Sequence, residues 1–267
     1  DLSEENTWRV GARVQEESMG KEYDFFKDKG LHNESIDLGF NHKSGLFVNG
    51  GYTRNNHGGW QGDLTGREKR WHPKDQALMN GMFGFQNRNM NVWYRLDFLD
   101  EKIFGPNNGS ELQPEKVSDK DFLTKRYTHQ LQSDWKLDNR LDVHAALSYQ
   151  DYKRRTRTTE SDLSTGEKWL SSAEASQDIT QYKAWIARAT VAWNIAPEFS
   201  VQPGVEYQWT QGEGGRIDGT PKVSDLAFFL SAEYKPWEWL SLRPGVRTFI
   251  VADMAIPVPI AERINRI

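Results

Sequence analysis

Apolar and polar residues alternate along Met90-Asn91-Val92-Trp93-Tyr94-Arg95-Leu96-Asp97-Phe98. Every even position is apolar and most odd positions are polar, which is the period of a β-strand whose two faces meet different environments. The same alternation runs from Leu141 to Tyr149 and from Phe199 to Trp209. The pattern continues outward from these stretches along nearly the whole chain, and it predicts an all-β protein.

About eleven strands are predicted in this way. They cover residues 7–15, 34–42, 46–54, 77–86, 90–98, 122–137, 140–153, 180–194, 199–210, 224–235 and 240–250. Helix has support only at 169–178, where we expect one or two helical turns inside a loop.

The links between these strands differ systematically in length. Short links fall at 42–45, 87–89, 138–139, 195–198 and 236–239, and long polar links at 16–33, 55–76, 99–121, 154–179 and 211–223. Long and short links alternate, so all long links lie at one end of the strands. A soluble sandwich has no need of this arrangement, whereas an outer-membrane barrel has tight turns on one side and long loops on the other. We therefore predict an antiparallel transmembrane β-barrel meander.

Aromatic residues bracket the apolar face of several strands. Trp185 and Trp193 lie eight residues apart on one strand, and Tyr127 and Trp135 do so on another. A tilted strand needs about 9–11 residues to cross the hydrocarbon, and aromatic rings prefer both interfaces. The hairpin at 193–205 also aligns with 234–246. We therefore expect Trp135, Trp193 and Tyr234 to lie at one depth near the short turns.

The opposite face is polar and is predicted to line the barrel interior. Its members are Arg9, Arg13, Asn91, Arg95, Asp97, Asp134, Lys136, Asp142, Arg188, Glu206, Glu233, Arg243 and Arg247. In the strand at 140–153, Leu141, Val143, Ala145 and Leu147 are expected to face lipid, and Asp142, His144, Ala146 and Ser148 the interior. Because proline removes a ladder donor, Pro203 and Pro244 are expected at bulges near the rim.

Composition excludes several other classes. The chain has 34 basic and 38 acidic residues, which argues against a nucleic-acid partner. Mean hydropathy is low, at -0.78, but 11 Trp, 9 Tyr and 13 Phe argue against disorder. The absence of cysteine excludes disulfides, thiolate metal sites and cysteine nucleophiles.

The stretch Ser224-Asp225-Leu226-Ala227-Phe228-Phe229-Leu230-Ser231-Ala232-Glu233-Tyr234-Lys235-Pro236-Trp237-Glu238-Trp239-Leu240-Ser241-Leu242-Arg243-Pro244-Gly245-Val246-Arg247 resembles barrel hairpins of TonB-dependent outer-membrane transporters, and is most similar to those of Bacteroidota. That family has a 22-stranded barrel and an N-terminal plug that couples to TonB–ExbB–ExbD. The resemblance implies import of a bulky scarce nutrient, of the iron-siderophore, haem or cobalamin class, across the outer membrane of a Gram-negative bacterium. Implied partners are outer-membrane lipid, lipopolysaccharide, the TonB system and a surface lipoprotein.

The chain departs from that family in three ways. It holds about half the strands, no plug domain or TonB box precedes the first strand, and the end at 258–267 lacks a closing strand with a terminal aromatic residue. We therefore expect residues 1–267 to be a partial barrel domain, an internal portion of a larger, 22-stranded receptor.

Two sets of residues are candidates for ligand contact. The Gly-rich link at 55–76 carries His57, Trp60, Trp71 and His72, which could stack on and ligate haem or an aromatic siderophore. The alternative is an ordinary solvated loop. Arg154, Arg155 and Arg157 could attract an anionic ligand or lipopolysaccharide phosphates, or could be a solvated loop base.

No catalytic residue, metal site or cofactor is expected. His144 and Ser148 share a face, but four residues of strand separate them by about 13 Å. The six histidines show no HxH or HExxH spacing. Two other functions stay open: a small self-contained outer-membrane barrel enzyme, either a protease or a phospholipase, and a passive porin.

Overall fold

The computed structural model describes residues 5–17, 31–215 and 217–252. These residues form no helix, so they include no helix that is long and apolar enough to span a membrane. They form thirteen strands: β1 (Thr7–Glu17), β2 (Leu31–Asn41), β3 (Leu46–His57), β4 (Lys74–Gln86), β5 (Met90–Gly105), β6 (Lys116–Lys136), β7 (Leu141–Asp162), β8 (Lys168–Leu170), β9 (Ile179–Ala196), β10 (Phe199–Gly214), β11 (Lys222–Trp237), β12 (Leu240–Leu242) and β13 (Gly245–Ala252).

All strands belong to one antiparallel sheet in which neighbours in sequence are neighbours in space. The order is β1-β2-β3-β4-β5-β6-β7-β9-β10-β11, and β12 and β13 both pair with β11. The short β8 pairs with the far end of β7. The sheet is open, as a partial barrel requires, and the predicted all-β meander is confirmed.

The eleven predicted strands are present, but several are longer than predicted. β5 continues to Gly105, β6 begins at Lys116 and β7 continues to Asp162, so the predicted long links at 99–121 and 154–179 are partly strand. Outside the membrane both faces of a hairpin contact water. A strand there has no alternation of apolar and polar residues, so the sequence pattern does not reveal it. Most of the link at 16–33 and the end at 258–267 lie outside the described residues.

The helix expected at 169–178 is wrong. This segment forms β8 and then a turn, in which Ala175 has a φ of 60°. The turn is held against β7, because the N–H of Thr158 donates to the Ser176 carbonyl and the N–H of Ser171 to the Thr158 carbonyl. These bonds to β7 replace the internal bonds that a helix would make.

The sheet has two chemically different faces, which we call outward and inward. Across one ladder row the outward face carries Leu131, Leu147, Ala187 and Tyr207. The inward face carries most of the predicted interior residues. For β7, Val143 pairs with Trp135 and Val191 on the outward side, while His144 pairs with Asp134 on the inward side. The ladder thus supports the predicted register.

Ion pairs between strands satisfy the charges of the inward face. Between neighbouring strands, Arg9 pairs with Asp37 (3.5 Å) and the His144 ring bonds to Asp134 (2.9 Å). Arg247 of β13 reaches across β11 to Glu206 of β10 (2.6 Å), and Arg243, which follows β12, pairs with Glu233 of β11 (2.7 Å). Gly204 lies under Phe229, because a Cβ there would come within 2.2 Å of the ring. The Arg188 guanidinium packs over the same ring, 4.8 Å from its centroid. The inward face is therefore a connected polar surface.

The short turns step steadily along the sheet. Asn41 is the last residue of β2. When its pairing partner is followed from strand to strand across the sheet, the residue reached in β11 is Ala227, but β11 continues ten residues beyond it, to Trp237. Ten residues of about 3.3 Å over eight strand spacings of about 4.8 Å correspond to a tilt of about 41°. Transmembrane barrels tilt their strands by about 35–45°.

The three repeat aromatics follow the same diagonal. Two strands away from Trp135, the residue in register with it is Val191, and Trp193 lies two residues further along that strand. In the same way, the residue in register with Trp193 two strands away is Ala232, and Tyr234 lies two residues further along. Two residues over two strand spacings correspond to a tilt of about 35°. The three rings are exposed by 42%, 49% and 46% on the outward face. The strand tilt therefore brings them towards one depth.

Both prolines lie where the ladder is interrupted. Pro203 pairs with Leu230 of β11, but no partner pairs with it in β9, and the β9–β10 register shifts between Phe199 and Ser200. Pro244 separates β12 from β13 and accepts the N–H of Ala232 through its carbonyl. Each proline thus avoids a position that would need its missing N–H.

Two adjacent alanines of β7 test the two faces directly. Ala145 lies on the outward face, midway between Leu141 and Tyr149, and Ala146 lies on the inward face; both are exposed. Ala145→Arg should lower the free energy of unfolding of the complete barrel in lipid vesicles by about 2–4 kcal/mol, because it places a cation near the bilayer midplane. Ala146→Arg is the control and should be nearly neutral. Equal losses would contradict the assignment of the faces.

Candidate functional site

The loop at 58–73 joins the outer ends of β3 and β4, where "outer" means the end of the strands with the long links. Trp60 and Trp71 close it, since each backbone N–H donates to the other's carbonyl, at 2.9 and 3.0 Å. Their rings lie 5.5 Å apart. Gly59 has a φ of 83°, and a Cβ there would come within 2.8 Å of the Trp71 carbonyl oxygen. This loop is therefore folded locally.

Arg67 holds the loop against its neighbours. Its guanidinium donates to both carboxylate oxygens of Asp119, at 3.0 and 2.6 Å, and to the Asn107 carbonyl at 2.9 Å. Its backbone N–H donates to Asn108 at 2.7 Å, and Asn108 donates to the Thr65 carbonyl at 3.0 Å. Because Asp119 is largely shielded from solvent, this bidentate pair is stronger than an exposed one.

His57 ends β3 beneath this loop. Its Nδ1 accepts the backbone N–H of Gly59 at 3.0 Å. Burial of the ring, together with the charge of Lys74, lowers the pKa of His57. The imidazole is therefore neutral near pH 7, and the bond to Gly59 leaves its proton on Nε2. In this tautomer His57 offers a donor rather than a metal-binding lone pair.

A cavity of about 670 Å³ opens on the inward face under the loop. Three of the four predicted ligand-contact residues line it: His57, Trp71 and His72. Trp60 does not; it packs behind Trp71. The remaining lining residues are Leu31, Asn33, Asn55, Arg70, Lys74, Gln76 and Ile103.

A row of polar side chains crosses the floor of this cavity. Asn33 donates to Asn55, Asn55 donates to Gln76 at 3.5 Å, and Gln76 donates to Glu101. The four residues are ladder partners in β2, β3, β4 and β5. Sequence reasoning missed this row, because only the pairing register brings together residues 21 to 25 positions apart.

The cavity wall carries two cations. Arg70 and Lys74 line it, and Glu101 lies at the edge of its floor. Arg70 is held by Asp63, with two bonds of 2.6 and 2.7 Å, and the bond from Arg70 lowers the pKa of Asp63. Because Asp63 largely neutralises Arg70, Lys74 supplies most of the attraction for an anionic ligand.

The three arginines predicted as one cluster do not act together. Arg154 lies on the inward side with its guanidinium 4.5 Å from the Phe122 ring centroid. Arg155 and Arg157 lie on the outward side, where Arg157 pairs with the buried Asp121. Successive side chains of a strand point to opposite faces, so Arg154 lies on the other side of the sheet from Arg155 and Arg157. The prediction that the three form a single site is therefore wrong.

No catalytic set is assembled around His144. Its ring bonds to Asp134 at 2.9 Å, and within the described residues no hydroxyl group bonds to it. The same part of the chain holds no group of three or more His, Cys, Asp or Glu residues that could bind a metal ion.

No family model matches this chain, and no curated protein does. Several solved structures share its fold. One is the outer membrane transporter YddB from Escherichia coli, at 14% identity and a TM-score of 0.57, over 83% of this chain and 34% of that one. A second is the ferric-catecholate import receptor Fiu from E. coli, at 11% identity and a TM-score of 0.56, over 92% and 50%.

A third is the siderophore receptor PiuA from Acinetobacter baumannii, at 10% identity and a TM-score of 0.54, over 92% of this chain and 45% of that one. These likenesses confirm, at the level of the fold, the predicted resemblance to the barrels of TonB-dependent outer-membrane receptors. The chain spans between a third and a half of the length of these structures. The similarity to Bacteroidota hairpins stays a prediction.

Removing Arg67 should release the loop. In Arg67→Gln, amide hydrogen exchange across 58–73 should speed up because the contacts to Asp119 and Asn107 are lost. Arg70→Gln is the matched control, since its partner Asp63 belongs to the same loop and is exposed. Faster exchange in the control alone, or in neither variant, would contradict the anchoring role.

The lowered pKa of His57 predicts a pH dependence. Below about pH 6.5 an unfolded histidine binds a proton that the folded His57 resists, so the loop loses stability as the pH falls through that value. Protonation of Nδ1 also removes the acceptor of the Gly59 N–H. Protection of the Gly59 amide, corrected for intrinsic exchange, should fall with pH, and His57→Ala should abolish this dependence. Protection that rises on acidification would contradict the sign.

Proposed function

We propose that this chain is part of the barrel of an outer-membrane receptor that imports a bulky scarce nutrient, of the iron-siderophore, haem or cobalamin class. The observation that carries this proposal is the cavity at the outer end of the inward face. An importer must first capture its ligand at that position. A volume of about 670 Å³ suits a ligand of that size.

The cavity chemistry favours an anionic, partly aromatic chelate. Trp71 offers a ring face for stacking, and Arg70 and Lys74 offer positive charge. The amide row on the floor offers donors and acceptors for the polar edge of a ligand. His72 is the better candidate for an imidazole ligand to iron, because His57 uses its Nδ1 lone pair for Gly59.

The fold neighbours support this class of ligand. Fiu is described as a ferric-catecholate import receptor and PiuA as a siderophore receptor. A ferric catecholate is anionic and aromatic, and the cavity offers cations and a tryptophan ring to such a ligand.

The rest of the barrel would come from further strands. In the described part, β1 pairs only with β2, and β13 pairs only with β11. Unpaired strand edges are not tolerated against lipid, so both edges need partners. We propose that residues 1–267 are a partial barrel domain that a larger, 22-stranded receptor completes. A plug domain outside this chain would couple that receptor to TonB–ExbB–ExbD.

Two rival functions make different demands on the molecule. A barrel protease or phospholipase needs a nucleophile or carboxylate set near the outer rim, and His144 has only Asp134 as a partner among the described side chains. A passive porin needs an open passage and no binding step. Saturable, high-affinity binding distinguishes the proposed receptor from a porin.

The test is ligand binding by the complete receptor that contains this chain. Ferric catecholate, haem and cobalamin are titrated separately against the unaltered protein and the triple variant His57→Ala, Trp71→Ala, His72→Ala. One of the three should bind, and the triple variant should weaken it at least about tenfold, since the stacking ring of Trp71 and both imidazole groups are lost. Trp60→Ala, at a residue outside the cavity lining, is the control. Unchanged affinity in a correctly assembled triple variant would contradict the proposal.

A further inference from the structure

A second cavity lies at the outer end of β6 and β7, the two longest strands of the sheet. It encloses about 260 Å³, and its walls come from the link between β5 and β6 and from β6, β7 and β8. It shares no lining residue with the cavity under the 58–73 loop. This second cavity is therefore a separate candidate site.

A row of three side chains crosses the second cavity on the inward side of the sheet. Ser118 of β6, Glu160 of β7 and Trp169 of β8 are successive ladder partners. The indole Nε1–H of Trp169 donates to one carboxylate oxygen of Glu160 at 3.2 Å, and the Ser171 hydroxyl donates to the other at 2.5 Å. Trp169 is nevertheless 45% exposed. Its ring is therefore held in place at one edge and is accessible to a ligand.

The 58–73 loop holds a second wall of this cavity. The backbone N–H of Asn107 donates to Asp119 at 3.0 Å, and the Asn107 carbonyl accepts a bond from Arg67 at 2.9 Å. These bonds use the backbone of Asn107, so its side-chain amide can serve a ligand. Asn108 and Ser110 line the same wall. Because both walls are fixed by bonds within the protein, a ligand has little to order when it binds.

The charges of the second cavity cancel. Lys116 and Glu160 are its charged lining residues and have opposite signs, and its other polar side chains are the amides of two Asn and the hydroxyls of three Ser residues. Ca²⁺ takes six to eight oxygen ligands and prefers carboxylates, but this lining has one carboxylate and an ammonium group. The lining therefore favours an uncharged ligand that makes many hydrogen bonds.

We propose that the second cavity binds one uncharged sugar ring. A sugar hydroxyl both donates and accepts, so it can bond to the amide of Asn107, the hydroxyl of Ser118 and the ammonium group of Lys116. Glu160 can accept a further bond, because a carboxylate has about four lone-pair positions. The C–H face of a sugar can pack on the ring of Trp169, as apolar groups pack on aromatic side chains.

The size of the second cavity limits the ligand. Its volume of about 260 Å³ lies below the range of about 300–1,000 Å³ that drug-sized ligands occupy. It thus suits one ring rather than a bulky chelate. The proposal does not depend on the nutrient that the larger cavity would capture, because the two linings are separate.

The test is saturation-transfer NMR of the complete receptor, in a detergent that has no sugar headgroup. Glucose, galactose and N-acetylglucosamine are titrated separately, and at least one should bind with a Kd on the order of 1 mM, as expected for so small a ligand. Trp169→Ala should weaken this binding at least about tenfold, and Trp169→Phe, which keeps an aromatic ring, should retain most of it. Asn107→Ala leaves the backbone bonds in place and should weaken binding about fivefold.

Two controls separate this proposal from the rival sites and ligands. Trp71→Ala alters the larger cavity and should bind the sugar as the unaltered protein does. Glucosamine, which is cationic, and glucuronate, which is anionic, should both bind more weakly than glucose. Maltose distinguishes a free sugar from the end of a longer chain, since only a chain end predicts binding as tight as that of glucose.

Three results would overturn the proposal. The first is that none of the three neutral sugars binds. The second is loss of sugar binding in Trp71→Ala but not in Trp169→Ala, which would place the sugar in the larger cavity. The third is tighter binding of glucosamine or glucuronate than of every neutral sugar.

Discussion

The structure depends on one constraint: a backbone in hydrocarbon must satisfy every N–H and C=O group within the protein. A continuous antiparallel ladder meets this need, and every strand from β2 to β7 and from β9 to β11 has neighbours on both sides. Once the backbone is fixed in this way, successive side chains can only point to opposite faces. The two-sided chemistry of the chain and its position relative to the membrane follow from that geometry.

Strand tilt connects the local repeat to the membrane. The turns advance ten residues over eight strand spacings, and the repeat aromatics Trp135, Trp193 and Tyr234 advance along a similar diagonal. Near the outer end, the inward side of β2 to β5 forms a polar cavity, while the outward side of β6 to β10 presents aromatic rings. The cavity that we propose captures a ligand and the apolar surface that meets the membrane thus lie on opposite faces of the same sheet.

Sequence reasoning found the parts of the fold that the membrane constrains. The alternation from Met90 to Phe98 is strong because lipid and water lie on opposite sides, whereas the outer extensions of β5, β6 and β7 meet water on both sides and lack that signal. His57, Trp71 and His72 could be chosen from residue type, because aromatic rings can stack on a ligand and imidazole can ligate iron. The row of Asn33, Asn55, Gln76 and Glu101 could not, because it exists only through pairing register. Arg154 and Arg155 illustrate the converse, since neighbours in sequence lie on opposite faces.

The central claim is that one face of this sheet meets lipid and the other meets water. The chain has no cysteine, so single cysteines can be introduced along β7 from Leu141 to Tyr149 without background from this region. Labelling of the barrel in intact outer membranes with a small, water-soluble thiol reagent measures the environment of each position. The account predicts fast labelling at 142, 144, 146 and 148 and protection at 141, 143, 145 and 147. Labelling without a period of two, or with the opposite phase, would contradict it.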